Sequence, residues 1–168
     1  TSGSTSTKSC VYGTAFTMPA CGFVKTGYKF KGWNTAANGT GTSYTVGASY
    51  SNLTTADGGT ITLYAQWEPI KYYVQFNANG GTGTMNKQQL TYGKREKLNT
   101  NLFTRAGSGL CFGGWKKTAS GSSSNYTQGS NYTFNLTTTE NATVNLYVHW
   151  IKEKYNLKVK IKNTSNVA

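Results

Sequence analysis

The 168-residue chain carries 17 Lys and Arg against 5 Asp and Glu, a formal charge of +12, together with 20 glycines and 12 tyrosines. Charged residues make up only 13% of the sequence, well below the level of an average soluble domain, and its 14% of aromatic residues exclude a disordered chain. Helix formers are scarce, so the many aromatic and β-branched residues favour strands joined by turns.

The first clear strand signals lie in residues 26–67. Gly27 and Gly32 bracket a short aromatic segment, and residues 61–67 alternate with the period of a strand. The inward set of that alternation, which is the predicted core face, consists of Ile61, Leu63, Ala65 and Trp67. The intervening residues 35–44 are rich in Gly, Ser, Thr and Asn and predict turns.

The rest of the chain predicts the same kinds of element. A strand over residues 72–76 leads into the Asn-Gly-Gly sequence at 79–81, which supplies the positive-φ residues of a tight hairpin. Residues 107–113 form a second aromatic segment bracketed by glycines, and residues 155–161 alternate as a last strand.

An internal repeat organises these elements. Trp33 returns as Trp115 and Trp67 as Trp150, at offsets of 82 and 83 residues, within matching sequences. The Tyr-Gly pair at residue 12 also returns, 80 residues later. Because the four tryptophans recur on the inward phase of the alternation, we expect all of them in structural cores.

The repeat predicts two modules and a tail. We expect a first module over residues 1–69, a second over residues 70–151, and a tail over residues 152–168, with a hinge near residues 68–71 too short to be a flexible linker. The first module lacks the opening strand that residues 72–76 give the second. The tail carries a spare strand, whose predicted assembly residues are Tyr155, Leu157, Val159 and Ile161.

These motifs resemble the Listeria–Bacteroides repeat, also called the internalin-type B-repeat. That family reads as a strand, an Asn-Gly-Gly turn, a Tyr-Gly, then Arg-x-Gly-Tyr-x-Phe-x-Gly-Trp, and a closing Leu-Tyr-Ala-x-Trp. Here the opening is residues 76–81 (FNANGG), the middle is residues 26–33 (TGYKFKGW), and the close is residues 63–67 (LYAQW). The second copy departs from the pattern because residues 108–110 (SGL) replace the middle tyrosine.

The resemblance implies a β-rich α+β fold of two tandem, small β-grasp-like modules, with mostly antiparallel sheets and at most one short helix each. A brief helical turn fits only residues 94–102 and the matching residues 14–23. The resemblance also implies a bacterial surface protein, in which such repeats act as stalks, spacers or occasionally adhesion modules. We therefore expect an extracellular chain, secreted or attached to the cell surface, with any membrane contact made by parts outside it.

The chain offers little for catalysis or for a cofactor. Its one histidine, His149, lies on the strand face opposite Trp150 and is expected to be exposed, and the five carboxylates are scattered. Neither an acid–base pair nor a metal site is therefore expected, and we expect no enzyme. Three cysteines leave at least one thiol free or intermolecular, and a disulfide between Cys10 and Cys21 is one of the alternatives.

Three roles compete for such a chain. The first is a structural spacer whose partners are neighbouring repeats. The second is an adhesion module that binds anionic glycan or cell-wall polymer through its basic surface, although dispersed lysines also describe an ordinary solvated surface. The candidate lysines are Lys116, Lys117, Lys154, Lys158, Lys160 and Lys162.

The third role is head-to-tail assembly of copies into filaments by strand exchange. The tail strand of one chain would pair near Leu63 or Cys10 of the next, since an open sheet edge accepts an added strand. The alternatives are a fragment cut within a longer array, or a tail that folds back on its own chain. A nucleic-acid partner is not expected, because no recognition motif accompanies the charge.

Overall fold

The computed structural model describes residues 1–155 and 157–160, which form thirteen strands and no helix. In chain order the strands are β1 (Ser2–Gly3), β2 (Phe16–Thr17), β3 (Phe23–Val24), β4 (Tyr28–Asn34), β5 (Ser43–Tyr44), β6 (Ser49–Tyr50), β7 (Tyr64–Pro69), β8 (Lys71–Asn77), β9 (Gln88–Thr91), β10 (Arg95–Lys97), β11 (Leu110–Lys116), β12 (Asn131–Thr133) and β13 (Thr143–Lys152). The predicted β-rich fold is confirmed.

The largest sheet lies in the second repeat and has the order β11-β13-β8-β9. β8 and β9 form an antiparallel pair, β11 and β13 another, and the two pairs join where β8 runs parallel to β13. Tyr73 lies opposite Thr143 in that join, and Asn77 opposite Tyr147. The central strands thus come from the two ends of the repeat, because a parallel pair needs a long connection.

One face of this sheet builds the hydrophobic core. Alternation along β8 turns Tyr72, Val74 and Phe76 inward, with exposures of 0%, 0% and 3%. The ring of Phe76 packs on that of Trp115 at a centroid distance of 4.6 Å. Burial raises the pKa of the Tyr72 phenol, whose Oη accepts a hydrogen bond from the Leu136 N–H. The other buried members of the core are Leu90, Leu98, Phe103, Trp115, Tyr126, Phe134, Leu146 and Val148.

The first repeat has the same local geometry but a smaller sheet, of order β5-β4-β7. A bulge between Phe30 and Gly32 interrupts the antiparallel pairing of β4 with β7. The second repeat has its bulge in the matching place, between Phe112 and Trp115 of β11. Equal irregularities at equivalent positions show that the two copies fold alike where both have the sequence.

The core of the first repeat, however, is only partly closed. Within residues 1–69, the buried hydrophobic side chains are those of Met18 and Trp33. The predicted inward residues Ile61, Leu63 and Trp67 are half-buried. The first repeat therefore buries far less apolar surface than the second, although its strands carry the same residue types.

The two segments where a helical turn fits the sequence are extended instead. In the second repeat, β10 pairs with β12 and places Glu96 opposite Tyr132. In the first repeat, β2 pairs with β6 and places Phe16 opposite Tyr50. Each segment gains cross-strand backbone hydrogen bonds, which a short and uncapped helix could not match.

Equivalent leucines in the two repeats test this difference in core closure. Leu146 is fully buried, whereas Leu63, 83 residues earlier, is half-buried. We expect Leu146→Ala to lower the free energy of unfolding by about 2–5 kcal/mol, because it leaves a cavity in a packed core. Leu63→Ala should lower it by about 1 kcal/mol or less, since its neighbours already leave space.

The measurement is urea denaturation followed by tryptophan fluorescence, at a dilution where the chain is monomeric. Similar losses of stability in the two variants would contradict the assignment of an incompletely packed first core.

Candidate functional sites

The first candidate site is the junction between the repeats. β7 ends at Pro69 and β8 begins at Lys71, so Ile70 alone separates the strands. Ile70 is buried, and its N–H donates to the Gly27 carbonyl at 3.0 Å while its carbonyl accepts from the Tyr92 N–H at 2.9 Å. One residue is therefore hydrogen-bonded to both repeats.

Side chains on both sides of Ile70 reinforce the junction. The rings of Tyr28 and Tyr92 meet edge to face at a centroid distance of 6.1 Å. A Cβ on Gly27, which has φ +76°, would lie 2.2 Å from the Tyr92 ring, so only glycine fits there. Lys29 Nζ lies 3.8 Å from Glu68 and 3.3 Å from Glu140, which bridges the repeats by exposed and therefore modest ion pairs.

The second candidate site is an open groove in the first repeat. In the second repeat β8 lies between β13 and β9, and the offsets of 83 and 80 residues map the flanking segments to residues 60–64 and 8–11. Among the described residues, no strand lies between these two segments, and of their members only Tyr64 belongs to a strand.

A cavity of about 1190 Å³ occupies this position, and we call it the open groove. Both flanking segments line it, together with core-type side chains of the first repeat, which include Met18, Trp33, Tyr44, Tyr50, Leu53, Ile61 and Leu63. Cys10 is exposed at its rim, whereas its counterpart Leu90 is fully buried. The groove thus exposes a surface that the second repeat covers.

The tail residues predicted as an assembly strand are exposed. Tyr155, Leu157 and Val159 have exposures of 75%, 84% and 72%, and none of them belongs to a strand. Hydrogen bonding to the Glu153 carboxylate raises the pKa of the Tyr155 phenol, which donates to it. The remaining predicted residues, Ile161 and Lys162, lie outside the described residues.

The structure corrects one member of the predicted basic surface. Lys116 is only 6% exposed, and its Nζ donates to the carbonyls of Ala119 at 2.8 Å and Gly121 at 3.1 Å. The equivalent Asn34 caps its own loop in the same way, with Nδ2 bonded to Gly39 and Gly41. Lys116 therefore holds a turn and is not available to an anion, because a buried ammonium needs such partners.

The other described candidate lysines are exposed. Lys117 is exposed beside the Tyr126 ring, with its Nζ 5.8 Å from the centroid. Lys154, Lys158 and Lys160 follow on the tail. Positive charge on the described candidates thus concentrates on the tail rather than beside Lys116.

The tryptophans divide into two classes. Trp33 and Trp115 are buried, as expected for core residues. Trp67 and Trp150 are half-buried, and Trp150 packs on the rim of the core with its Nε1 donating to the Ala78 carbonyl at 2.9 Å.

The expectation of an exposed His149 is corrected by the structure. Its side chain is half-buried, and its Nδ1 lies 2.9 Å from Ser124 Oγ. The loop that follows β11 covers this face of the strand, which a period-2 pattern alone does not reveal.

Nothing in the described residues forms a group of three or more metal-binding side chains. Cys10, Cys21 and Cys111 are all free thiols, so the Cys10–Cys21 bridge is not formed in the structure. The described part of the chain also contains no helix with the length and apolar character needed to cross a membrane.

Sequence reasoning located the hinge but missed its partners. Gly27 and Tyr92 belong to different repeats and are 65 positions apart, so no local pattern connects them. The available signal was the glycine that precedes Tyr28 in a chain segment otherwise committed to a strand.

Comparison with known proteins identifies relatives of the chain. The sequence model of the Listeria–Bacteroides repeat domain matches residues 1–66 and again residues 72–149. A curated protein of Evansella cellulosilytica, whose name describes it as a Gly-rich membrane protein, is 31% identical over 145 residues. The match covers 86% of this chain but only 16% of that relative's length. No solved structure is significantly similar.

The buried lysine gives a prediction for the second repeat. We expect Lys116→Ala to lower the free energy of unfolding by about 1–3 kcal/mol, because two carbonyl groups lose their donor. Lys116→Asn should retain part of that stability, since Asn34 performs this task in the first repeat. Lys117→Ala is the matched control and should leave urea denaturation unchanged. Equal losses for both lysines would contradict the capping role.

Proposed function

This chain belongs to the Listeria–Bacteroides repeat family, and we propose that it is a non-enzymatic, semi-rigid spacer of a secreted or cell-surface protein. In this proposal each repeat is a β-grasp-like module, for which the mixed sheet with its central parallel pair β8 and β13 is the supporting feature. Neighbouring repeats are joined by the short hinge or by exchange of an opening strand.

The junction around Ile70 is the observation that carries this proposal. A spacer must transmit separation, and a flexible linker between repeats would let them rotate independently. Here a single residue links two strands, is hydrogen-bonded on both sides and is flanked by the Tyr28–Tyr92 contact. These contacts oppose bending between the repeats.

The family and the relative support a surface location. The relative's name describes a membrane protein rich in glycine, and the present chain contains 20 glycines. The relative is much longer than the matched region, as expected if repeats of this type extend a larger protein. Anchoring, on this view, is a task of regions other than the repeats.

Two glycines with the same backbone conformation test the spacer. Gly27 has φ +76° and faces the Tyr92 ring, whereas Gly47 has φ +77° and open space around its Cα. Both Gly→Ala variants introduce the same local strain, but only Gly27→Ala also forces the repeats apart.

We expect small-angle X-ray scattering to show one narrow distribution of radii of gyration for the wild type and for Gly47→Ala. Gly27→Ala should broaden that distribution. A broad distribution already in the wild type, or a narrow one in all three proteins, would refute a junction held by these contacts.

An alternative function is adhesion to anionic glycan or cell-wall polymer. The formal charge of +12 and the exposed tail lysines favour it, because such a field attracts polyanions and is screened by salt.

We expect replacement of Lys154, Lys158 and Lys160 by Gln to lower the salt concentration that elutes the chain from immobilised heparin. A matched triple replacement of Lys25, Lys31 and Lys71 in the body of the repeats is the control. Equal shifts for both triple variants would indicate only general attraction by net charge and would reject a binding surface on the tail.

A further inference from the structure

We propose that the open groove of the first repeat is a strand-acceptor site, and that its occupant is the 155–160 segment of a second copy of this chain. The inference rests on the proposed repeat architecture but not on the stiffness of the junction. It deepens that proposal by naming the partner, the residues and the register of the contact.

The second repeat supplies the template for the occupied site. There β8 is bonded on one side to β13 in parallel and on the other side to β9 in antiparallel orientation. It delivers Tyr72, Val74 and Phe76 into the core, where all three are buried. A strand in this position therefore satisfies two neighbouring backbones and fills the core at the same time.

The first repeat retains both neighbours of such a strand. Residues 60–63 and 8–11 are the counterparts of the paired parts of β13 and β9, and both line the open groove. Neither segment forms a strand in the structure. Main-chain groups on the two sides of an apolar cavity are the features that strand addition uses for affinity and specificity.

The tail carries a matching strand pattern. An offset of 83 residues, the same that relates Trp67 to Trp150, maps Tyr72 to Tyr155, Val74 to Leu157 and Phe76 to Val159. The three template residues are buried and their three counterparts are exposed by 72% or more. Three apolar residues at alternate positions of an exposed segment are the set that the groove lacks.

The template also predicts the register. Val74 lies opposite Val144 and Phe76 opposite Leu146, so Leu157 is expected opposite Ile61 and Val159 opposite Leu63 of the second copy. On the other side Tyr72 lies opposite Leu90, which places Tyr155 opposite Cys10. The donor lysines Lys158 and Lys160 then point away from the core, toward solvent.

A second copy suits the site better than the chain's own tail. The Glu153 N–H donates to the Gly109 carbonyl at 3.0 Å, which holds the start of the tail beside β11 of the second repeat. β13 runs parallel to β8, so its end lies away from the junction, and no tail residue lines the groove. Donor and acceptor surfaces differ, so the contact is heterologous and joins chains in a linear series.

Cysteine cross-linking between two chains tests the contact and its register together. Cys10, Cys21 and Cys111 are first replaced by Ser. One chain then carries Leu63→Cys, and a second, of different mass through an affinity tag, carries Val159→Cys. The matched control carries Lys158→Cys instead, which is one residue away, equally exposed and on the opposite strand face.

After mild oxidation of the mixed chains, we expect a disulfide-linked heterodimer with Val159→Cys, about tenfold or more above the Lys158→Cys control, because a one-residue shift turns the side chain to the other face. Equal yields for the two tail positions, or no heterodimer, would overturn the proposal. A chain carrying both Leu63→Cys and Val159→Cys that closes only on itself would assign the groove to its own tail and would also overturn it.

Assembly itself is measured by sedimentation velocity over a range of concentrations. We expect the wild type and Lys158→Ala to form larger species as concentration rises, and Leu157→Lys to remain monomeric. The tail packs on neither repeat, so Leu157→Lys leaves the folded core intact. A wild type that stays monomeric throughout would refute strand exchange while leaving the scattering test of the junction unaffected.

Discussion

The position of a single strand, β8, governs whether a repeat closes its core. In the second repeat β8 pairs with both neighbours and brings three buried side chains against Trp115, Leu146 and Val148. The first repeat has equivalents of the other principal strands but none of β8 among its described residues, and its apolar side chains stay half-buried around a cavity. Packing in this fold is therefore a property of the complete sheet and not of its parts.

Local structure survives without that closure. Gly13 N–H donates to Asn52 and Gly93 N–H to Asn135, both at 2.8 Å. The ring pairs Tyr44–Tyr50 and Tyr126–Tyr132 meet at 4.9 Å and 5.0 Å. These turns and aromatic pairs depend on residues close in sequence, so each repeat forms them whether or not its core is complete. An open repeat can therefore be structured enough to accept a strand.

The same strand that closes one repeat also ties it to its neighbour. β8 follows β7 after Ile70 alone, so the repeat it completes cannot move far from the repeat that precedes it. Spacing and assembly thus draw on one element: covalently linked repeats share a junction, and separate chains share a donated strand. Basic charge on the exposed tail adds an attraction to polyanions that neither role requires.

From the sequence alone came the two copies, the strand character of most segments, the hinge and the family, and the structure and comparisons confirm the β-rich fold and the family. Local alternation and turn residues suffice for these. The parallel pairing of β8 with β13, the Gly27–Tyr92 contact, the burial of Lys116 and the covered face of His149 were decided only in three dimensions. Each joins residues that period-2 alternation leaves unconnected, because alternation states which side chains share a face but not which segment packs against that face.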